Sequence, residues 1–570
     1  EAKQTMEVDE EVPETKRFAE NDERQIVNSF NGFVWKVDDI KRLHRFLVLG
    51  SESPTYYIEE RNLAIENARA IVKLLQEGRG VQVVNDIRQY SIEGRTVKQN
   101  PIMFALALCA RKGDLATKRR AYEVLPEVCR IPTHLFMFID YCQTFSSLNG
   151  QPTTGWGRAH RNAIKKWYIS NCKKDPMRLA TNITKYQKRG GWSHRDIARL
   201  MHLNPEGQDV CDELRIIMRY VVRGWTQVLT TYFPEDRSVP HMSISEGTNA
   251  VLEFLRAVED VKGITAENEA QVIELIRNYN LVREHIPTLF LRSVEVWRAL
   301  LAKMPMMAMI RNLGKMTSVG LLNDNEREPL DSVCNKLRDV ERLKSARIHP
   351  FNVLVALKTY MDGHGDKGTL RWNPNEEILT ALEEAFYLSF KNVQSTGKRH
   401  LLAIDVSGSM SYVGCAGTPC ITPRVASAAM SMVTAKTESN HNFVAFSDEI
   451  VPLMINKDMN LDEVLAIIKL IPMGGTDCAL PMLYAIQNKL EVDVFVVYTD
   501  CETRTVTMQP SAALKRYREH SGISDAKLIV VAMTSNGFTI ADPDDPGMFD
   551  IAGFDSAAPQ VMREFILGNI

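Results

Sequence analysis

Three short motifs gather oxygen donors of the kind that hold a hard cation. Asp405-Val406-Ser407-Gly408-Ser409 sets a carboxylate and two hydroxyls at alternate positions. Thr476 follows Pro472-Met473-Gly474-Gly475, and Asp500 ends the apolar run from Val494 to Thr499. Two carboxylates and three hydroxyls make an all-oxygen set, which suits Mg²⁺ with waters in the remaining positions. In a tight turn the alternate side chains converge, and Gly408 is expected to free the backbone for it. Capping of a helix and a turn by Ser and Asp is the plainer reading, but it does not account for three motifs together.

A second chemistry is carried by charge. Between Arg158 and Arg199 stand twelve Lys/Arg against Asp175 and Asp196, a net of +10 over 42 residues in a chain whose formal net charge is −2. Clustered cations of this kind pair with phosphate backbones. Candidate contacts are Arg161, Lys165, Lys166, Arg178, Lys185, Lys188, Arg189, His194 and Arg195. Trp156, Trp167, Tyr168, Tyr186 and Trp192 interleave with them, as stacking platforms for unpaired bases would. The segment from Asp175 to Leu203 reads as helix, Gly190–Gly191 turn, helix. Ser193 is the N-cap of the second helix, whose first-turn N–H groups are expected to face a phosphate. The plain alternative for each cation is a solvated helix face, and for His194 a packed or capping ring. A second cluster (Arg79, Arg88, Arg95, Lys98, Arg111, Lys112, Lys118, Arg119 and Arg120) is diluted by acids such as Glu93 and Asp114.

Two kinds of periodicity position these groups. From about Asn28 to Lys391 apolar residues recur three and four apart, as in Asn62–Gln76, Leu115–Cys129 and Val294–Ala302, with short Gly-, Pro- and Asn-bearing separators. That pattern predicts stacked helices of a HEAT-like solenoid. After about Ser395, short runs rich in Val, Ile and Phe alternate with helical stretches such as Arg424–Thr437 and Ser511–His520. This predicts βαβ units and a parallel sheet covered on both faces. Ligands of such sheets bind beyond the carboxyl ends of the strands, where Asp405 and Asp500 fall. The expected organisation is an acidic tail at 1–24, a helical RNA-binding region at 25–394 and a doubly wound α/β domain at 395–570.

Composition narrows the class. The 570 residues are 45% hydrophobic and 25% charged, enough for sizeable cores. No apolar run reaches the roughly 18 residues of a membrane span, and the acidic start has no apolar stretch of signal-peptide type. Ten cysteines are scattered, mostly in apolar contexts, as in a reduced, intracellular protein. Cys415 and Cys420 lack the second pair a zinc site needs. A phosphate loop of the GxxxxGK type, HExxH and a deaminase His/Cys set are all missing from the sequence.

The oxygen-donor motifs resemble the metal-ion-dependent adhesion site of von Willebrand A domains. That resemblance implies Mg²⁺ or Mn²⁺ held directly by Ser407, Ser409 and Thr476, with Asp405 and Asp500 direct or through water, and an open position for a partner's carboxylate. A wider resemblance rests on KRLHRFLVLGSE, EGRTVKQNP, VCRIPTHLF, KYQKRGGWSHRD, LVREH, MIRNLGKMT, ARIHPFNVLVAL and TSNGFTIADPDD. From about Asn31 to Ile570 the chain resembles the Ro ribonucleoprotein autoantigen family, a TROVE domain followed by a von Willebrand A domain. This implies a ring of HEAT-like repeats closed by the α/β domain and binding of small noncoding Y RNAs on a basic outer surface. It further implies passage of single-stranded 3′ ends of misfolded RNAs, such as defective 5S rRNA precursors, into a central hole. The implied role is RNA quality control without catalysis, in cytoplasm and nucleus, with Lys185, Arg189 and His194 at positions of RNA contact. The loop SYVGCAGTPCITP matches no assignable pattern. The competing expectation is a metal-dependent protein-interaction scaffold whose basic face is incidental.

Overall fold

The computed structural model describes residues 23–28, 32–50, 60–147, 156–233, 245–365, 368–390, 393–412, 414–415, 418, 420–503 and 508–570. Apart from Glu23 and Arg24, the expected acidic tail lies outside them. Among the described residues, no helix is long and apolar enough to cross a membrane.

Contacts divide the chain into two units, one of Ile71–Ser389 and one joining the residues up to Ala70 with Phe390–Ile570. The expected helical region from residue 25 onward is therefore corrected at its start. Gln25–Val27 and Phe33–Lys36 are antiparallel strands, and Phe33–Lys36 also pairs with Phe538–Thr539. The helix Asp39–Leu49 packs on the strand Met548–Ala552 of the same unit. A pairing across some 500 residues leaves no local pattern to read.

The α/β unit holds a six-stranded sheet in the order Met548–Ala552, Lys527–Ala532, Val494–Thr499, His400–Asp405, His441–Phe446, Ile450–Leu453. The first five run parallel, while Ile450–Leu453 is an antiparallel edge that the expectation of a parallel sheet had not included. His400–Asp405 and Val494–Thr499 are buried throughout, which is why their sequences read as continuous apolar runs. Leu401, Ala403, Phe495 and Val497 share a core with Met482, Ala485, Leu514 and Tyr517 from the helices Leu480–Gln487 and Pro510–Ser521. On the other face Tyr498 meets Thr434 of the helix Pro423–Thr437, hydroxyl to hydroxyl at 2.9 Å.

The second unit is helical. Asn100–Lys112 packs on Pro132–Ser147, and Gly80–Glu93 on Leu115–Val128, while Asn100–Lys112 also touches both Gly80–Glu93 and Leu115–Val128. Next-but-one packing is the pattern of stacked helix pairs. The burial follows the apolar stripe: Ile102, Met103, Leu106 and Cys109 are fully buried on one helix, and Val124, Leu125 and Val128 on another.

Candidate metal site and basic face

Asp405 closes the strand His400–Asp405 and Asp500 directly follows Val494–Thr499, so neighbouring parallel strands deliver both carboxylates to one sheet edge. All five donor residues are buried: Asp405, Ser407, Ser409, Thr476 and Asp500 are no more than 4% exposed. The turn after Asp405 is built on its own carboxylate, whose Oδ1 accepts from the Ser407 N–H at 2.9 Å while Oδ2 accepts from Thr499 Oγ1 at 2.6 Å. Ser407 Oγ and Ser409 Oγ stand 3.1 Å apart. Asp500 Oδ1 accepts from the Glu502 N–H at 3.0 Å, and the nearby Ser409 hydroxyl favours the charged form of its carboxylate.

The loop carrying Thr476 is tied to this turn, since Gly408 N–H donates to the Gly474 carbonyl at 3.1 Å. Its other side is held by Asp448, which accepts from the Gly475 N–H at 2.7 Å. A Cβ on Gly475 would stand 2.4 Å from an Asp448 oxygen, and one on Gly474 2.8 Å from the other. The need for glycine thus falls on Gly474 and Gly475. Gly408, expected to relax the turn, has no left-handed backbone and no close neighbour.

Burial, and then the charge of Asp500, push the Asp405 carboxyl up to about 7, and burial also raises that of Asp500. Arg424, the guanidinium in electrostatic range of Asp405, donates instead to the carbonyls of Ile468 and Ile471. Two buried carboxylates with converging hydroxyls are a donor set that a divalent cation would satisfy, so the residues fit the ion. Among the described residues no group of three or more His, Cys, Asp or Glu offers another arrangement.

Two residues that sequence reasoning missed support this edge. Arg45 is 1% exposed, and its guanidinium pairs with both oxygens of Asp550. It also donates to the Asn536 side-chain oxygen at 3.2 Å and to the carbonyls of Asn536 and Phe538. Asn536 in turn donates to the Asp500 carbonyl. The amino-terminal helix therefore braces the strand end that carries the second aspartate. Arg45 and Asn536 each stand inside a family motif, but their partnership spans 491 positions and left no spacing to detect.

In the helical unit the basic segment folds as two helices, Arg158–Lys174 and Pro176–Lys185, then a hairpin and the helix His194–Met201. The expected bare turn is a two-residue hairpin: Lys188 pairs with Ser193 and Arg189 with Trp192 around Gly190 and Gly191, both at positive φ. Such a turn demands left-handed backbone at both central positions, which glycine supplies. Lys188, Arg189 and Arg195 are exposed, as are Lys166 and Arg178, and none of these five forms an ion pair among the described residues. Arg161 and Lys165 are half-buried. Lys185 differs, with its ammonium 3.6 Å from Glu284.

Ser193 is the N-cap, as expected, but it forms a capping box with Asp196. The acid already stands at this helix start, so the expected phosphate site on its N–H groups is withdrawn. His194 is 4% exposed, with Nδ1 2.7 Å from Tyr168 Oη and Nε2 3.0 Å from the Tyr186 carbonyl. Burial lowers its pKa to about 4. It joins the helix start to the preceding helix, and both ring nitrogens have partners within the protein. The stacking role expected of Trp156, Trp167 and Tyr168 is also corrected, because all three are buried. Ile164, Trp167, Tyr168 and Cys172 follow helical spacing, and that stripe was the signal of a core face. Tyr186 and Trp192 stay half-exposed.

Beside the hairpin lies a cleft of about 510 Å³ lined by Lys188, Arg195 and Lys262, with Tyr220, Trp225 and Glu259 among the remaining walls. Trp225, half-exposed at the start of a helix after Gly224, was not singled out in the sequence, since a lone aromatic carries no pattern. The earlier basic cluster is partly neutralised, with Arg88 paired to Glu127 at 2.6 Å and Arg120 to Glu123 at 3.0 Å.

Comparison with known proteins agrees with this architecture. The TROVE domain profile matches residues 26–361, and the Ro60 vWA domain profile matches residues 399–566. The RNA-binding protein RO60 of Caenorhabditis elegans is 39% identical over 593 residues, covering 96% of this chain and 90% of that protein. The RNA-binding protein RO60 of Deinococcus radiodurans is 36% identical, covering 98% of each. The crystal structure of the Deinococcus radiodurans RO (RSR) protein superposes with a TM-score of 0.66 at 34% identity, covering 94% of this chain and all of that one. The chain belongs to the Ro60 family, in which a TROVE domain is followed by a von Willebrand A domain.

Proposed function

We propose that this chain is an RNA-binding protein of a small ribonucleoprotein, taking structured noncoding RNA on its basic face. The observation that carries the reading is the hairpin Lys188–Ser193, whose exposed, unpaired cations border a cleft walled by Lys262 and Trp225. Cations that follow a backbone beside an aromatic face suit a single strand. Relatives named as RNA-binding proteins support it. Within this reading the partners are Y RNAs and the single-stranded 3′ ends of misfolded RNAs such as 5S rRNA precursors. The role is quality control and stabilisation, in cytoplasm and nucleus, without catalysis. A filter-binding comparison of a structured RNA carrying a free 3′ tail with the same RNA trimmed blunt tests it. Tight, salt-dependent binding that weakens on trimming is expected, and equal binding of both would remove the end-capture part.

The buried carboxylate and hydroxyl cluster favours a second role. Ser407, Ser409, Thr476, Asp405 and Asp500 would hold Mg²⁺, or Mn²⁺, whose open position accepts an acidic side chain of a protein partner. If this were the main function and the basic face incidental, protein association would be EDTA-sensitive, lost in Asp405→Ala, and free of RNA.

A further inference from the structure

A separate cavity of about 190 Å³ lies in the helical unit among Glu269–Tyr279, Val294–Ala302 and Met306–Ser318. Its buried residues, Ile276, Leu281 and Leu300, give an apolar floor. Arg277, Arg283 and Lys303, exposed beside Asn280 and a single acid, Glu284, give a rim of net positive charge. Lys303 Nζ donates to Asn280 Oδ1 at 2.5 Å, which fixes the Asn280 amide with its own N–H groups still to place. Asn312 adds a second amide to the lining.

Glu284, the acid of the lining, stands 3.6 Å from Lys185, so that pair balances itself, while Arg277, Arg283 and Lys303 have no carboxylate partner among the described residues. Burial, then Arg292 and Arg283, hold the Lys315 ammonium below its usual range, with no carboxylate acting the other way. Lys315 is one helical turn beyond Asn312, so the positive field extends from the rim along that helix. Like charges held together beside a cavity are relieved by an anion. An apolar floor, however, has no use for a bare anion. The volume is below the roughly 300–1,000 Å³ of drug-sized sites, which limits the guest to about one heterocycle. Lys185 also lines the cavity, which joins it to the basic segment already described.

We propose that this cavity seats a single nucleotide of a bound RNA strand, its base on the apolar floor between Asn280 and Asn312 and its phosphate at Arg277 and Arg283. The proposal rests on the RNA-binding reading and adds a site to it.

Met304, half-exposed in the lining, is a reporter. The full chain, labelled with ¹³C-methyl methionine, is titrated with nucleoside 5′-monophosphates, with inorganic phosphate and with a single-stranded oligoribonucleotide. The Met304 resonance is assigned by its loss in Met304→Leu. Monophosphate and oligonucleotide should both shift it, and phosphate alone should not. Ala308→Trp, which fills the cavity, should weaken the oligonucleotide by about tenfold, the low end for one base stacked or seated. Arg283→Gln, at an exposed site that leaves the fold alone, should lower the salt slope by about 0.7. An unmoved Met304 in a protein that still retains RNA on a filter overturns the cavity proposal and leaves the RNA reading standing. Equal shifts with phosphate mean an anion site only, and shifts with monophosphate but not oligonucleotide mean a free nucleotide, and either overturns it. Loss of all RNA retention would instead strike the RNA reading itself.

Discussion

Replacing His194 by Gln separates a strut from a ligand contact. The wild-type ring is buried, bonds Tyr168 Oη at 2.7 Å and the Tyr186 carbonyl at 3.0 Å, and meets Phe136 edge-on at 4.8 Å. Removal leaves a buried tyrosine hydroxyl short of a partner, at about 1–3 kcal/mol. With the missing ring packing, the deficit at pH 7 should be about 3 kcal/mol. The deficit must also depend on pH. The folded pKa is about 4 against an ordinary 6.5, so between those values the unfolded chain binds the proton that the folded chain refuses. Stability from the neutral ring is complete above pH 6.5 and is lost as pH falls toward 4. Between pH 7 and 4.5 the loss is about 2 kcal/mol. Gln does not titrate, so the difference between the two proteins should shrink to about 1 kcal/mol at pH 4.5. Urea unfolding followed by tryptophan fluorescence reads the right unit, because Trp156, Trp167, Trp192, Trp225, Trp297 and Trp372 all lie in it and only Trp35 does not. A deficit that stays constant with pH would refute the neutral buried ring. A variant as stable as wild type that no longer binds RNA would make His194 a contact after all.

Other consequences are as direct. Arg45→Met leaves Asp550 buried without its partner and should cost about 3–5 kcal/mol. Because Asn536 then loses its anchor beside Asp500, Mg²⁺ affinity should fall too, and calorimetry that finds it unchanged would remove the bracing role. Mg²⁺ binding should tighten as pH rises toward about 7, since the proton on Asp405 must leave first. A pH-independent affinity with no proton release, read by titration in two buffers, would contradict the raised carboxyl. Trp225→Ala should weaken single-stranded RNA by about tenfold if a base stacks there, and unchanged affinity would exclude that wall of the cleft.

Much of this was legible where a repeating pattern carried it. Val294–Ala302 reads from its apolar spacing with the bounds it has in the structure, and the buried central strands read from unbroken Val and Ile runs. The three donor motifs were legible because strand ends in a doubly wound sheet converge on one edge. What escaped depends on distant partners or on very short elements. The hairpin strands Lys188–Arg189 and Trp192–Ser193 are two residues each, too short for alternation. The strands before Asp39 need Phe538–Thr539 to complete them. Arg45 reads as one more cation on an amphipathic helix until Asp550 is placed against it. Trp167 and Tyr168 were misjudged because aromatics among lysines suggest bases, whereas the three-and-four spacing with Ile164 and Cys172 marks an inner face.

The most direct test of the basic face compares wild type with the Lys188→Gln, Arg189→Gln, Arg195→Gln triple variant. Both are titrated with one tailed RNA at several salt concentrations, with thermal unfolding run alongside. Exposed residues without ion pairs should leave stability unchanged, while the slope of log affinity against log salt falls by about 2, at about 0.7 for each phosphate no longer neutralised. Unchanged affinity and slope in a folded variant would mean that RNA, if bound, does not lie on this hairpin.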